Sequence, residues 1–423
     1  MRILLATDYY PPGLGGAQIQ SHLIARELRA RGHEVAVATV WQHGLPAFEL
    51  DEGIPVHRLR QLRTLPVIAR AWRHHQPPFP DPITVIPLRR LIARFRPDVV
   101  HSYGWFSYSC AFALLGRDIP LLLTARDYAY SCATRTLLYK GRPCSGPALL
   151  KCMSCAGREY GAIKGWIAAL GVRGNARLLR RKVRAIHSIS TYVQAIVRRD
   201  FLDDRKRTGA GATGHVIHDV IGPVPAEHVP GVSEESYRAR LDELPAEPFL
   251  LFVGGLRRVK GVEQLLSAYE RLSDPPPLVL IGTLERDSPP QFPAHVHVLT
   301  DFPHEAVMAA WEHCLFAVLP SVLPEPFGTV VSEAMSCGKA VIGTRPGGHR
   351  DMIVDGKTGF LVPAGDVAAL ADAMQRLISD PELRDRFGAA GRVRAQLFTP
   401  NVATPRLERL YKQLVTRQRA AES

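Results

Sequence analysis

The sequence predicts an α/β protein made of two doubly wound domains, and three observations carry that reading. Apolar segments of strand length alternate with amphipathic helical segments along the chain, the pattern of parallel sheets covered by helices. The alternation pauses once, in a stretch with Pro223, Pro225 and Pro230, and then restarts. At 423 residues the chain is also longer than one domain usually grows.

The first half opens with the strand ILLAT, a glycine loop, and the helical segment AQIQSHLIARELRARG, whose Ile19, Leu23, Ile24 and Leu28 share one face. EVAVATV follows as the next strand and completes a βαβ unit. DVVHSY, IPLLLTA and AIHSIS are the next strands, the last followed by a helix over TYVQAIVRRD. After the proline-rich linker come PFLLFVGG, LVLIGT, HVHVLT, LFAVLPS, AVIGT and GFLV, each leading into a helix or a glycine turn. The expected domains are therefore residues 1–222 and 223–391. Residues 392–423 form a charged helical segment with Leu407, Leu410, Tyr411 and Leu414 on one side, which is expected to pack against something.

Composition narrows the class. A chain with 46% hydrophobic and 22% charged residues is globular in balance. No run of 18 uncharged apolar residues is present, and Arg2 leads straight into a strand with no signal-peptide core, so neither a spanning helix nor secretion is expected. Seven cysteines in such a length are not a disulfide scaffold, and a cytoplasmic setting is the expectation. Charge is unevenly divided. Residues 1–222 carry 32 Lys and Arg against 15 Asp and Glu, whereas 223–423 carry 21 against 25. The arginine-rich stretches between Arg58 and Arg96 and between Arg173 and Arg207 suit an anionic partner: nucleic acid, lipid headgroups on the inner face of a membrane, or an acidic acceptor. No nucleic-acid motif accompanies them. The competing reading is that 44 Arg against 9 Lys reflects base composition, with solvated helix faces.

In open parallel sheets ligands bind beyond the carboxyl ends of the strands, so the strand-to-helix loops are where chemistry is expected. Pro11-Pro12-Gly13-Leu14-Gly15-Gly16 precedes a helix and frees backbone amides for an anion. It is a poor dinucleotide fingerprint, because Ala17 and Gln18 stand where a third glycine is needed and EVAVATV ends without an acid for a ribose. The second loop follows PFLLFV and offers Gly254, Gly255, Arg257, Arg258, Lys260 and Gly261, cations beside freed amides that fit a diphosphate. The third follows LFAVLP. It places Glu325 before a helix that starts near Gly328 and Thr329 and carries Glu333, with Phe327, Gly328, Thr329 and Val330 presenting amides at the helix start. Carboxylates on either side of such amides suit hydroxyl-rich groups such as a sugar and a ribose.

Together these loops resemble the retaining nucleotide-sugar glycosyltransferases of family 4. The resemblance rests on Pro11-Pro12-x3-Gly16, PDVVHSY, IPLLLTARDY, GGLRRVKG, the E-x7-E spacing from Glu325 to Glu333, and PGGHRDMIVDGKTGFLVPAGD. It implies the GT-B fold, two Rossmann-like domains facing a cleft, with the acceptor on the first, the donor on the second, and the C-terminal helix crossing back to the first. It further implies transfer of a sugar from a UDP- or GDP-sugar to the hydroxyl of a glycan, lipid-linked or small-molecule acceptor, with retention and with no cofactor or metal required. Carried over by position, Glu325 holds sugar hydroxyls, Glu333 the ribose, Phe327 to Val330 the phosphates through their amides, and Lys260 a phosphate, while Gly15 and Gly16 line the donor. The family's arginine five residues before that lysine is Gly255 here, so Arg258 is expected to supply its charge. Where many members have a histidine after the IPLLLT strand, this chain has Arg126 followed by Asp127, which are expected to act on the leaving phosphate or an acidic acceptor. A nucleotide-sugar epimerase or hydrolase, and an inactive glycan-binding subunit, are the alternatives on the same fold.

Cys132, Cys144, Cys152 and Cys155 form one C-x2-C with two outlying partners. A tetrahedral thiolate metal site, a loop of packed reduced thiols, and a redox pair all remain open for them.

Overall fold

The computed structural model describes residues 1–12, 16–64, 77–202, 213–216 and 234–422. The described residues fall into two compact units, one drawn from Met1–Tyr139, Cys144–Val220 and Pro400–Ser423, the other from Lys140–Pro143 and Ile221–Thr399. The linker prolines Pro223, Pro225 and Pro230, and Gly15 of the first glycine loop, lie outside the described residues.

In the first unit eight strands run in the spatial order Thr213–Val216, Val183–Ser188, Leu121–Ala125, Val99–Tyr103, Arg2–Thr7, Glu34–Val40, Ile54–Leu59 and Phe48–Asp51. All neighbours are parallel except the last pair, an antiparallel hairpin. Val99–Tyr103 and Leu121–Ala125 are buried at every position. Helices cover both faces of such a sheet, so its central strands read as unbroken apolar runs and are easy to find in sequence. The hairpin strands and Thr213–Val216 are additions to the predicted set. Ile54–Leu59 alternates buried and half-buried residues, and Phe48–Asp51 keeps two exposed, which is why neither stands out as an apolar run.

The second unit holds a six-stranded parallel sheet in the order Val296–Leu299, Leu278–Ile281, Leu250–Val253, Phe316–Val318, Ala340–Arg345 and Gly359–Pro363. The reversals of direction in strand order fall beside Leu250–Val253 and Phe316–Val318, the strands that carry the second and third chemical loops. A crevice at such a switch point is where open α/β sheets bind ligands.

The C-terminal segment divides at Pro400. Arg392 belongs to the helix Pro381–Ala395 of the second unit, and only the helix Pro400–Glu422 lies in the first unit. Thr399 is extended (φ −74°, ψ 157°), as a residue before proline is biased to be, and this separates two helices where a single segment from Arg392 was expected. Ala403, Leu407, Leu410, Tyr411 and Leu414 join one hydrophobic cluster with Ile3, Leu5, Ile24, Leu28, Val35 and Val37. Below that cluster a polar chain threads the sheet. Tyr411 Oη lies 2.6 Å from His101 Nδ1, His101 Nε2 meets Thr124 Oγ1, and Thr124 Oγ1 lies 2.9 Å from His187 Nδ1.

Leu407→Ala should therefore cost ~2–4 kcal/mol in urea unfolding, the range for truncating a buried leucine, and Tyr411→Phe about 1 kcal/mol for one lost hydrogen bond. The exposed Val393→Ala serves as control. Equal stability of the Leu407 and Val393 variants would show that the C-terminal helix is not part of this core.

Candidate functional site

The loop after Leu250–Val253 and the loop after Phe316–Val318 meet through one ion pair. Lys260 Nζ donates to Glu325 Oε1 at 2.7 Å, and Ser321 Oγ donates to the same oxygen at 2.5 Å. Gly261 makes the approach possible. Its φ is +80°, and a Cβ there would sit 2.0 Å from the Pro320 carbonyl oxygen, so only glycine fits. The Glu325 carbonyl in turn accepts from the Gly348 N–H at 2.6 Å, so both ends of the residue are held.

Burial would raise the Glu325 carboxyl, but the Lys260 ammonium and the hydrogen bonds from Lys260 and Ser321 more than offset it and hold it below the usual carboxylate range. His349 packs beside it. Burial pushes this imidazole down to about 4, against the pull of Glu325, so it is neutral at pH 7. The Thr344 N–H donates to His349 Nδ1 at 3.2 Å, which puts the ring proton on Nε2. That nitrogen lies at Gly328, where φ is +101° and a Cβ would come within 2.8 Å of it. Gly328 opens the helix Thr329–Ser336 without a side-chain cap, leaving the first helical amides to an outside acceptor. Phe327, buried, stacks edge-on against Phe398 and fixes the entry to that helix.

The other expected residues distribute as follows. Glu333 is on the same helix, but its electrostatic neighbour is His304, and burial raises its carboxyl above the usual range. Arg258 pairs with Glu263 at 3.1 Å on the surface, its side chain 70% exposed, and Arg257 pairs with Asp287 at 2.8 Å. Neither is directed onto Glu325. In the first unit Arg126 follows the strand Leu121–Ala125; its Nη1 donates to Ser21 Oγ at 3.1 Å, and its guanidinium stacks 4.0 Å over the Tyr103 ring. Asp127 is not Arg126's partner: it forms an ion pair with Arg135 and accepts from the Ala129 N–H at 2.8 Å. Gly16 is the first residue of the helix Gly16–Ala30. Arg58, one of the cations counted as available to an anionic partner, is instead buried, donating to the Pro11 carbonyl and to Glu49.

Two groups were missed in sequence. Ser321 and His349 complete the Glu325 cluster from four residues before it and 24 after it, and only the sheet brings them together. Asp8 accepts from the Trp105 and Phe106 N–H groups at 3.1 and 2.9 Å and caps the helix Phe106–Ala113 from a strand end almost 100 residues away. Cys132, Cys144, Cys152 and Cys155 line one small cavity as free thiols. Among the described residues no group of three or more ligating side chains has a geometry that could hold a metal ion.

Two α/β units, each built on a largely parallel sheet, are the architecture of the GT-B fold. Residues 233–394 match the family of glycosyl transferases group 1, and residues 15–208 match a glycosyl transferase 4-like domain. Together the two matches span most of the chain, and both are to glycosyltransferase domains. It is 26% identical to glycogen synthase of Mycobacterium tuberculosis over 93% of this chain and 90% of that one. It is 34% identical to phosphatidyl-myo-inositol mannosyltransferase of Mycobacterium leprae over 29% of this chain and 33% of that one. Sucrose-phosphate synthase from Thermosynechococcus elongatus shares the fold with a TM-score of 0.70 at 20% identity, covering 98% of this chain and 99% of that one. Anabaena HepE in complex with UDP and glucose shares it with a TM-score of 0.67 at 18% identity, covering 98% and 100%.

The buried neutral His349 makes a pH prediction. Its folded pKa is depressed, so below the ordinary value of 6.5 the unfolded chain binds a proton that the folded one refuses, and stability falls as pH drops toward 4. A shift of this size corresponds to about 3 kcal/mol. Urea unfolding from pH 7 to pH 4 should show a loss larger by about that amount in the native sequence than in His349→Gln. Parallel curves for the two proteins would place the titration elsewhere.

Proposed function

We propose that this chain transfers a sugar from a nucleoside-diphosphate donor to an acceptor hydroxyl with retention of configuration, the second unit holding the donor and the first the acceptor. The observation that carries the reading is the Lys260–Glu325 pair at the foot of the glycine-led helix. Lys260 and Ser321 both donate to Glu325 Oε1, which leaves Oε2 to accept from sugar hydroxyls. Lys260 and the amides of Phe327 to Val330 take the diphosphate oxygens, Arg258 adds a surface charge, Glu333 accepts from the ribose, and Gly15 and Gly16 are further candidate donor contacts. UDP- and GDP-sugars are the candidate donors.

In this reading Glu325 positions the sugar, and the reaction, as the family resemblance implies, is a same-face substitution. The acceptor oxygen bonds to the anomeric carbon as the bond to the diphosphate oxygen breaks, and that departing oxygen takes the hydroxyl proton. Catalysis comes from positioning and from charge placed where the diphosphate develops it. Arg126, held by Ser21 and Tyr103, contributes a fixed cation toward the leaving phosphate or an acidic acceptor. Asp127 acts on that side through Arg135. The basic first unit fits an acceptor at a membrane surface or an anionic acceptor, with no nucleic acid.

Mass spectrometry with a panel of nucleotide sugars and acceptors tests the reading. Glu325→Gln should keep the fold and lose most transfer, while Glu333→Ala should chiefly raise the donor KM. Lys260→Ala should weaken nucleoside-diphosphate binding by ~1.5–3 kcal/mol in calorimetry, as expected for a hydrogen bond to a charged group. Unchanged turnover at limiting donor in both glutamate variants would remove the donor site from this loop.

Arg126→Ala should depress turnover far more than melting temperature, and Arg126→Lys should recover only part, since an ammonium lacks the planar fork. Wild-type turnover in Arg126→Ala would make this position structural.

A further inference from the structure

The helix Ala162–Lys182 is packed inside out in size. Its buried face consists of Gly165, Ala168, Ala169, Val172, Ala176 and Leu179, mostly small residues that bring it close to its neighbours. The opposite face exposes Ile163, Trp166, Ile167 and Leu170, at i, i+3, i+4 and i+7, with Ile163 75% and Trp166 49% exposed. Leu149 and Leu150, on the preceding helix Leu149–Tyr160, are exposed as well. Six of the fourteen large hydrophobic side chains exposed among the described residues thus lie on these two adjoining helices. Single exposed apolar residues are ordinary, but a contiguous set signals a surface that meets something.

Charge on the same helices identifies what it meets. From Leu149 to Lys182 there are eight Lys and Arg and one acid, Glu159. The outward face continues beyond Leu170 into Arg173, Arg177 and Arg181, at the spacing of the same stripe. Beside it opens a cavity of about 940 Å³ whose charged lining is Lys151, Arg173, Arg177, Arg180 and Arg199, with Asp200 the acid among them. Asp200 is already matched by Arg199 at 2.6 Å, so the lining remains strongly cationic. A second copy of this face would bring like charges together, which opposes self-association. An apolar helix stripe with an interfacial tryptophan, flanked by arginines, is the composition that lies in the headgroup layer of an anionic bilayer.

We propose that the helices Leu149–Tyr160 and Ala162–Lys182 are the docking surface of this protein on an anionic phospholipid bilayer. Ile163, Trp166, Ile167 and Leu170 enter the headgroup boundary, while Arg173, Arg177 and the cationic cavity take lipid phosphates. This deepens the membrane contact proposed above by naming the surface and its lipid class. It rests on no part of the donor chemistry.

The full chain is sedimented with vesicles of phosphatidylcholine alone and of phosphatidylcholine with phosphatidylglycerol, at low and at physiological ionic strength. The native sequence should bind only the anionic vesicles, less at the higher salt. Arg173→Ala with Arg177→Ala should weaken binding about 30-fold, two cations at the usual strength of attraction to an anionic leaflet. Ile163→Glu with Ile167→Glu should abolish insertion, read as loss of tryptophan quenching by brominated lipid, a signal that Trp166→Phe should also remove. Both double variants should melt as the native protein does and bind nucleoside diphosphate unchanged, so failure here is distinct from failure of the transferase reading. Equal binding to neutral and anionic vesicles, no binding to either, or native binding by the double variants would overturn the proposal. So would a concentration-dependent dimer that the two glutamates dissolve, since the face would then belong to a second copy.

Discussion

The second unit is organised around a carboxylate that could not stay charged where it is without a lysine. Glu325 lies buried at the end of the loop that leaves the strand Phe316–Val318, and Lys260 reaches it from the loop of the adjacent strand. Removing two charges from water is costly unless geometry and hydrogen bonds compensate, and the Ser321 hydroxyl adds a second hydrogen bond to the carboxylate. The pair binds two strand-to-helix loops to one another at the carboxyl end of the sheet. Glycine is obligatory on both sides of it, at Gly261 and Gly328, because backbone and imidazole occupy the space a side chain would need. A neutral His349 completes the wall without adding charge. The result is a preorganised place where one cation, a row of helix amides and one acid converge, and the proposed donor site rests on that arrangement.

The first unit depends on a different device. Its sheet is apolar on both faces, yet His101, Thr124 and His187 stand in three neighbouring strands as a connected polar string that Tyr411 completes from the C-terminal helix. Burial, helped by His187 and Arg126, holds His101 well below its ordinary pKa, so its imidazole is neutral. Hydrogen bonds of this kind add less to stability than the leucines around them, but they specify which helix face docks, because an unmatched buried imidazole is expensive. Arg126 sits at the end of the strand that contributes Thr124, with its guanidinium over Tyr103, so its placement is coupled to the same string.

The arginine surplus of the first half resolves into separate uses. Arg58 is a buried tie for the Pro11 carbonyl, and Arg135 neutralises Asp127. A further run, from Arg173 to Arg181, sits on a helix whose outward face is apolar in its first half and cationic in its second. Composition alone cannot separate these roles, since an arginine counts the same whether it holds a loop or faces solvent.

The α/β class and the central strands were legible from local pattern, and so were the loops proposed to carry the chemistry. Unbroken apolar runs such as LLLTA and LLFV report parallel strands buried on both faces, and glycine beside cations or acids reports a loop that approaches an anion. Within those loops it was the resemblance to family 4 motifs that singled out Glu325, Lys260 and Gly328 as candidates. Tertiary structure alone decided the rest. His349 and Ser321 join Glu325 across a sheet, Asp8 caps a helix almost 100 residues on, and Asp127 pairs with Arg135 rather than with its neighbour Arg126. The half-buried hairpin of Phe48–Asp51 and Ile54–Leu59, and the break at Pro400, likewise emerged only from the fold. The reason is physical: local pattern encodes what a residue can do within one or two turns of chain, whereas a partner's identity depends on which strands lie side by side, and that is settled by packing of the whole unit.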